Sequence, residues 1–142
     1  FTKRIKMKKY LCIALALAFM ACDDKDSVAF ESITNKSLNI EKFIIAGETF
    51  TPSALQDENA SITFLQNDYN GFAGCNRFFG SFSLKDGKIA FADNGGATRM
   101  LCPPEIMRFE DALLRHLNGE FALGKENDSF ILHSKEMKIY LK

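Results

Sequence analysis

Residues 61–92 read SITFLQNDYNGFAGCNRFFGSFSLKDGKIAFA. Ile62 and Phe64 share one face of an extended segment. Asn67-Asp68-Tyr69-Asn70-Gly71 then supplies turn chemistry, and Asn-Gly is the strongest short hairpin signal. Phe79 to Leu84 alternates again, Lys85-Asp86-Gly87-Lys88 turns, and Ile89 to Ala92 returns. Apolar side chains on every second residue fit half-buried strands and no helix, so this stretch predicts an antiparallel meander.

The flanks extend the pattern. After a loop over residues 93–102, Pro103-Pro104-Glu105 opens a helix: proline suits a first turn whose amides lack partners, and Glu105 complements the positive end of the dipole. Ile106, Phe109, Leu113 and Leu117 recur at helical spacing, with Arg108, Asp111 and Arg115 off that face. Asn118-Gly119 ends the helix, with Gly119 suited to the left-handed C′ position. Three short strands follow, around Phe121 to Leu123, Phe130 to Leu132 and Met137 to Leu141. Upstream, Leu38 and Ile40 lead into FIIAGETF (43–50), which turns at Gly47. The expected fold is α+β: about seven or eight strands in a curved antiparallel sheet, curling into a partly open small barrel, with one α-helix.

A chain of 142 residues fits one such domain, and 46% hydrophobic with 25% charged residues excludes collagen-like, low-complexity and wholly disordered classes. The formal charge of +0 averages two unlike parts. Lys3, Arg4, Lys6, Lys8 and Lys9 precede any acid; without those five the remaining 13 bases face 18 acids, a net of −5. A folded part of that sign lacks the basic footprint that phosphate backbones require, so no nucleic acid is expected as partner.

The first segment reads as an address. Basic residues precede an apolar run from Leu11 to Ala21, only about 17 Å as a helix and too short to span a bilayer. A basic start, a short apolar run and small residues before a cut are the marks of a signal peptide, assigned to residues 1–21. Met7 is the natural initiator and residues 1–6 are upstream read-through. Ala21-Cys22 resembles the lipobox of bacterial lipoproteins, although Phe19 and Met20 depart from the usual pattern. Cleavage after Ala16 to Ala18 is the rival and would release a soluble protein. Of Cys12, Cys22, Cys75 and Cys102, the first leaves with the signal, and lipidating Cys22 leaves an even pair for an oxidising compartment. The expectation is a lipoprotein of the bacterial envelope facing the periplasm, held to its membrane through Cys22. Residues 22–37 would form a polar tether and residues 38–142 the domain.

Among residues that could carry chemistry, Gly71 to Gly80 (GFAGCNRFFG) is the densest motif. A phosphate cradle would feed a helix, whereas here a strand follows, so the glycines are expected to permit bulges or close backbone approach. Asn76 and Arg77 are expected to fix this bend; the alternative is an anion-binding pair of Arg77 with Arg99 at the barrel mouth. Outside the cytoplasm Cys75 and Cys102 would join, closing a loop worth about 3.5 kcal/mol. A metal site lacks both C-x-x-C spacing and nearby histidine, and a reactive cysteine lacks a basic partner. His116 in the last helical turn and His133 at a strand end have structural explanations. Glu110 and Asp111 are adjacent on a helix and diverge, and there is no G-x-S-x-G elbow, so no enzyme, cofactor or metal is expected. Fourteen phenylalanines without one tryptophan would mostly fill the core, although a Phe-lined barrel could also hold a lipid or an apolar helix.

The order of two motifs carries a family resemblance. Gly71, Gly74, Cys75, Asn76, Arg77 and Gly80, followed by Thr98, Arg99, Met100 and Cys102 and a helix containing Glu110, resemble the META domain of HslJ-like bacterial lipoproteins. Phe43 stands where the family often opens with tryptophan. The resemblance implies an α+β fold on a curved antiparallel sheet, an envelope location and no established enzymatic activity. It also implies loose links to envelope stress tolerance or secretion, leaving an apolar ligand or a protein as the expected partner; the alternatives are a purely structural or stress-protective role, or an enzyme acting on an envelope polymer through Arg77 and Arg99.

Overall fold

A computed structural model describes residues 28–56 and 58–142. The expected signal peptide, Cys22 and the first part of the expected tether lie outside the described residues. The strands are β1 (Ser37–Ile45), β2 (Glu48–Phe50), β3 (Ser61–Phe64), β4 (Asp68–Phe72), β5 (Arg77–Lys85), β6 (Lys88–Phe91) and β7 (Gly96–Ala97). Helix α1 (Pro104–His116) follows, then β8 (Gly119–Glu126), β9 (Ser129–His133) and β10 (Met137–Leu141).

Eight of these strands form a closed antiparallel ring in the order β1, β3, β4, β5, β6, β8, β9, β10. The seam is β10 against β1, with Phe43 opposite Ile139 and Ile45 opposite Met137, and a register shift at Glu41 bends β1 into both neighbours. The curl therefore goes further than the partly open barrel expected. Short β2 and β7 pair outside the ring, on β1 and β5 respectively; β2 is the return after the expected Gly47 turn, and β7 was not foreseen. Two hairpins turn where expected: Ala46-Gly47 (φ 49° and 80°) and Asp86-Gly87 (φ 51° and 77°) place two consecutive residues at positive φ, the twist-matching geometry for two-residue loops.

Asn70-Gly71 is a correction. It lies inside β4, where Gly71 pairs with Phe78 and Tyr69 with Gly80. A Cβ on Gly71 would stand 2.3 Å from the Phe78 ring and 2.4 Å from the Ser61 carbonyl oxygen; one on Gly80 would stand 2.5 Å from the Tyr69 hydroxyl. Each glycine makes room for the aromatic ring of its cross-strand partner, so both serve packing rather than turning.

The barrel interior is filled by the inward rows. Phe43, Phe64, Tyr69, Phe78, Phe82, Phe91 and Phe121 are buried together with Leu38, Ile40, Ile62, Ile89, Leu132, Met137, Ile139 and Leu141. Phe64 meets Phe82 edge-on with ring centroids 5.4 Å apart, and Phe91 meets Phe121 likewise at 5.2 Å. Antiparallel pairing gathers the turns over 65–67, 86–87 and 127–128 at one end and those over 46–47, 73–76 and 134–136 at the other. Helix α1 stoppers the second end: Phe109 packs on Phe43 at 4.9 Å, and Ile106, Leu113 and Leu117 are buried. A single 3₁₀ turn, Phe30–Ser32, stoppers the first, with Phe30 against Phe64 and Phe82 and Ile33 fully buried. The tether expected to run to Ser37 therefore ends before Phe30, because two apolar residues in an otherwise polar run complete the core.

Candidate functional site

The motif residues meet at the helix end, around Asn76. Its backbone N–H donates to Glu110 Oε1 and its Nδ2 to Glu110 Oε2, both at 2.7 Å. Nδ2 also donates to the Met100 carbonyl at 3.1 Å. Its Oδ1 accepts from the Met100 N–H at 2.6 Å and from Thr98 Oγ1 at 3.0 Å. An amide side chain offers two hydrogens and two lone pairs, and all four are used. Asn76 and Glu110 are the buried polar residues among those described, 1% and 3% exposed, so each bond replaces water completely.

This cluster locks three pieces of chain. Asn76 belongs to the 73–76 turn, Thr98 and Met100 to the segment after β7, and Glu110 to α1. Thr98 adds a two-way link to the start of β5: its Oγ1 accepts from the Arg77 N–H at 3.0 Å, and its N–H donates to the Arg77 carbonyl at 3.0 Å. A disulfide joins Cys75 to Cys102 with Cα atoms 6.3 Å apart, the pairing expected from the odd-thiol argument. Gly74 turns the chain at φ +110°, where the left-handed backbone favours glycine, and a Cβ there would meet the Gln56 amide at 2.2 Å. Asn76, Thr98, Glu110 and the Cys75–Cys102 bridge are thus occupied in holding the turn against the helix.

The two arginines do not come together. Arg77 lies over the Phe72 ring at 5.6 Å, sits 3.9 Å from Glu58 and lines a groove with Gly74, Cys75 and Ile106. Arg99 lines a different groove. The alternative of an anion-binding pair at the barrel mouth finds no support, since Arg77 and Arg99 line separate grooves. The mouth itself is closed by α1.

Sequence reasoning underrated Glu110, weighing it only as one of two adjacent carboxylates that diverge from each other. The signal was in the spacing: Glu110 is four residues after Ile106 and three before Leu113, on the apolar face. A carboxylate there must find buried donors, and Asn76 supplies them.

Arg99 borders a groove of about 570 Å³ between the 92–101 segment and α1. Phe78, Phe79, Met100, Met107 and Leu114 give it apolar walls, with Asp93 and Asp111 at its edges. Phe79 is 52% exposed, Met100 59% and Leu101 98%, so apolar side chains stand open to solvent on its rim. Tyr69 also lines it, and burial pushes its hydroxyl pKa above the ordinary value.

A closed eight-stranded barrel, stoppered by one helix and stapled by one disulfide beside a saturated Asn–Glu lock, defines a small α+β domain. The sequence profile of the META domain matches residues 31–141, and the chain belongs to that family. The match begins beside the 3₁₀ turn, in keeping with the earlier domain start. An NMR structure of a protein from Burkholderia xenovorans is 27% identical, covers 84% of this chain and 94% of its own, and superimposes with a TM-score of 0.64. A second NMR structure, 20% identical over 81% of this chain and 94% of its own, shares the fold with a TM-score of 0.61. No curated protein matches the chain.

Proposed function

We propose that this META domain is the periplasmic part of a bacterial envelope lipoprotein, anchored through acyl chains on Cys22, that binds an apolar ligand or an apolar protein segment without catalysing a reaction. The observation that carries the binding reading is the groove between the 92–101 segment and α1, walled by Phe78, Met107 and Leu114 and rimmed by exposed Phe79, Met100 and Leu101. It replaces the barrel interior as the binding place, since the interior rows are occupied by the protein's own side chains. The polar groups beside the groove spend their bonds on one another, which supports a rigid wall rather than acid-base chemistry. No helix among the described residues is long and apolar enough to cross a membrane; in this reading the attachment is through Cys22.

Titration with 1-anilinonaphthalene-8-sulfonate, followed by fluorescence and by amide chemical shifts, tests the groove. The expected result is saturable binding with shifts confined to Phe79, residues 95–101 and α1, abolished by Met100→Glu with Leu114→Glu. Binding that survives both substitutions, or no saturable binding, overturns it.

A further inference from the structure

We propose that the barrel end opposite α1 is a membrane-contacting face, with Leu65 and Leu84 entering the headgroup layer. The inference rests on the anchoring reading above and adds which surface of the domain the bilayer meets. Phe30 is pinned at that end against Phe64 and Phe82. From Cys22 to Val28 the chain has six residues, which fully extended reach at most about 20 Å. Acyl chains on Cys22 therefore keep this end within about 20 Å of the headgroups, while the groove and α1 lie a further barrel length away.

The side chains there suit that neighbour. The last pair between β4 and β5 is Asp68 with Ser81, so the end of β5 runs on past β4 while β6 stays paired with β8. Leu84 continues the inward row of Phe78 and Phe82 beyond the barrel mouth and is 54% exposed. Leu65, immediately after buried Phe64, is 40% exposed at the same end. Around this apolar centre Lys36 and Lys125 both lie over the Phe130 ring, each at 5.4 Å, and Lys85 and Lys88 flank the hairpin tip. Ammonium groups at the rim of an apolar surface suit a lipid interface, although Lys85 also has Glu120 at 3.6 Å. Glu31, Asp86 and Asp128 share the end, so apolar contact rather than net charge holds it, and the contact is weakly dependent on salt.

The test uses full-length protein purified from its own membranes, with native processing, in nanodiscs of phosphatidylethanolamine and phosphatidylglycerol doped with a gadolinium lipid. The expected result is loss of the amide signals of Leu65 and Leu84, with those of Phe79 and Leu101 retained. In the Leu65→Glu/Leu84→Glu variant the signals at both positions return while the protein stays in the disc. Loss at Phe79 and Leu101 instead, or even attenuation over the whole domain, overturns the assigned face and leaves the anchor intact. Native protein that carries no acyl group and does not enter the discs overturns the anchor, and this inference with it.

Discussion

Replacing Glu110 by alanine tests whether the motif is a structural lock. The substitution removes the acceptors of two 2.7 Å bonds, leaving the Asn76 N–H and one Nδ2 hydrogen without partners in a site where Asn76 is 1% exposed. A buried donor left unsatisfied costs about 1–3 kcal/mol, so Glu110→Ala should lose about 3–5 kcal/mol. In a domain of this size that lowers the midpoint of thermal unfolding by about 15–25 °C. Glu110→Gln keeps the shape but sets an amide donor against a donor, and should lose about half as much. The decisive measurement is a double-mutant cycle with Asn76→Ala, read by urea unfolding with the disulfide intact. Two partners that serve each other should couple by about 2 kcal/mol or more, the double variant being far less damaged than the sum of the singles. A loss below about 1 kcal/mol for Glu110→Ala, or additive singles, refutes the lock and reopens a chemical role for the carboxylate.

Three further outcomes are expected. Gly71→Ala drives a methyl into the Phe78 ring and the Ser61 carbonyl and should cost more than about 2 kcal/mol, whereas Gly124→Ala, with nothing within 4 Å, should change stability by less than about 0.5 kcal/mol; equal effects in chemical unfolding would sink the ring-over-glycine account. Ala46→Asn places a residue tolerant of φ 49° before Gly47 and should raise stability by about 0.5–1 kcal/mol, so an unchanged urea midpoint would mean that the hairpin turn stores no strain. Burial raises the Tyr69 pKa above 10.0, so the folded state holds its proton longer than the unfolded chain. Stability is then intact below about pH 10 and falls as pH rises from there through the folded pKa; Tyr69→Phe should flatten that alkaline loss, and an identical loss in both proteins would refute it.

How much could be read from the chain alone follows the range of the interactions. Asp86-Gly87 and the Ile106, Phe109, Leu113, Leu117 spacing act within a turn or two, so the hairpin and the helix were legible with nearly correct bounds. Asn70-Gly71 misled because a glycine needed for a cross-strand ring looks the same in sequence as one needed for a turn. Asn76 and Glu110 are 34 residues apart, and neither residue type announces a partner at that distance. The motif's membership was visible by resemblance, whereas its architecture was not. Phe30 and Ile33 escaped notice since two apolar residues in a polar run carry no period, and only the open barrel end explains them. The groove depends on how the 92–101 segment folds back toward α1, which no local pattern encodes.

The β1–β10 seam has a consequence for how the protein is made. Its pairs join residues near 40 to residues near 140, so the ring cannot shut until the final strand has been synthesised and is free to move. Until then β1 offers an unmated edge and the aromatic interior stays unsealed, a situation that favours slow, late folding over domain growth during synthesis. A product terminated shortly before Met137 is a substrate for proteases rather than a smaller barrel.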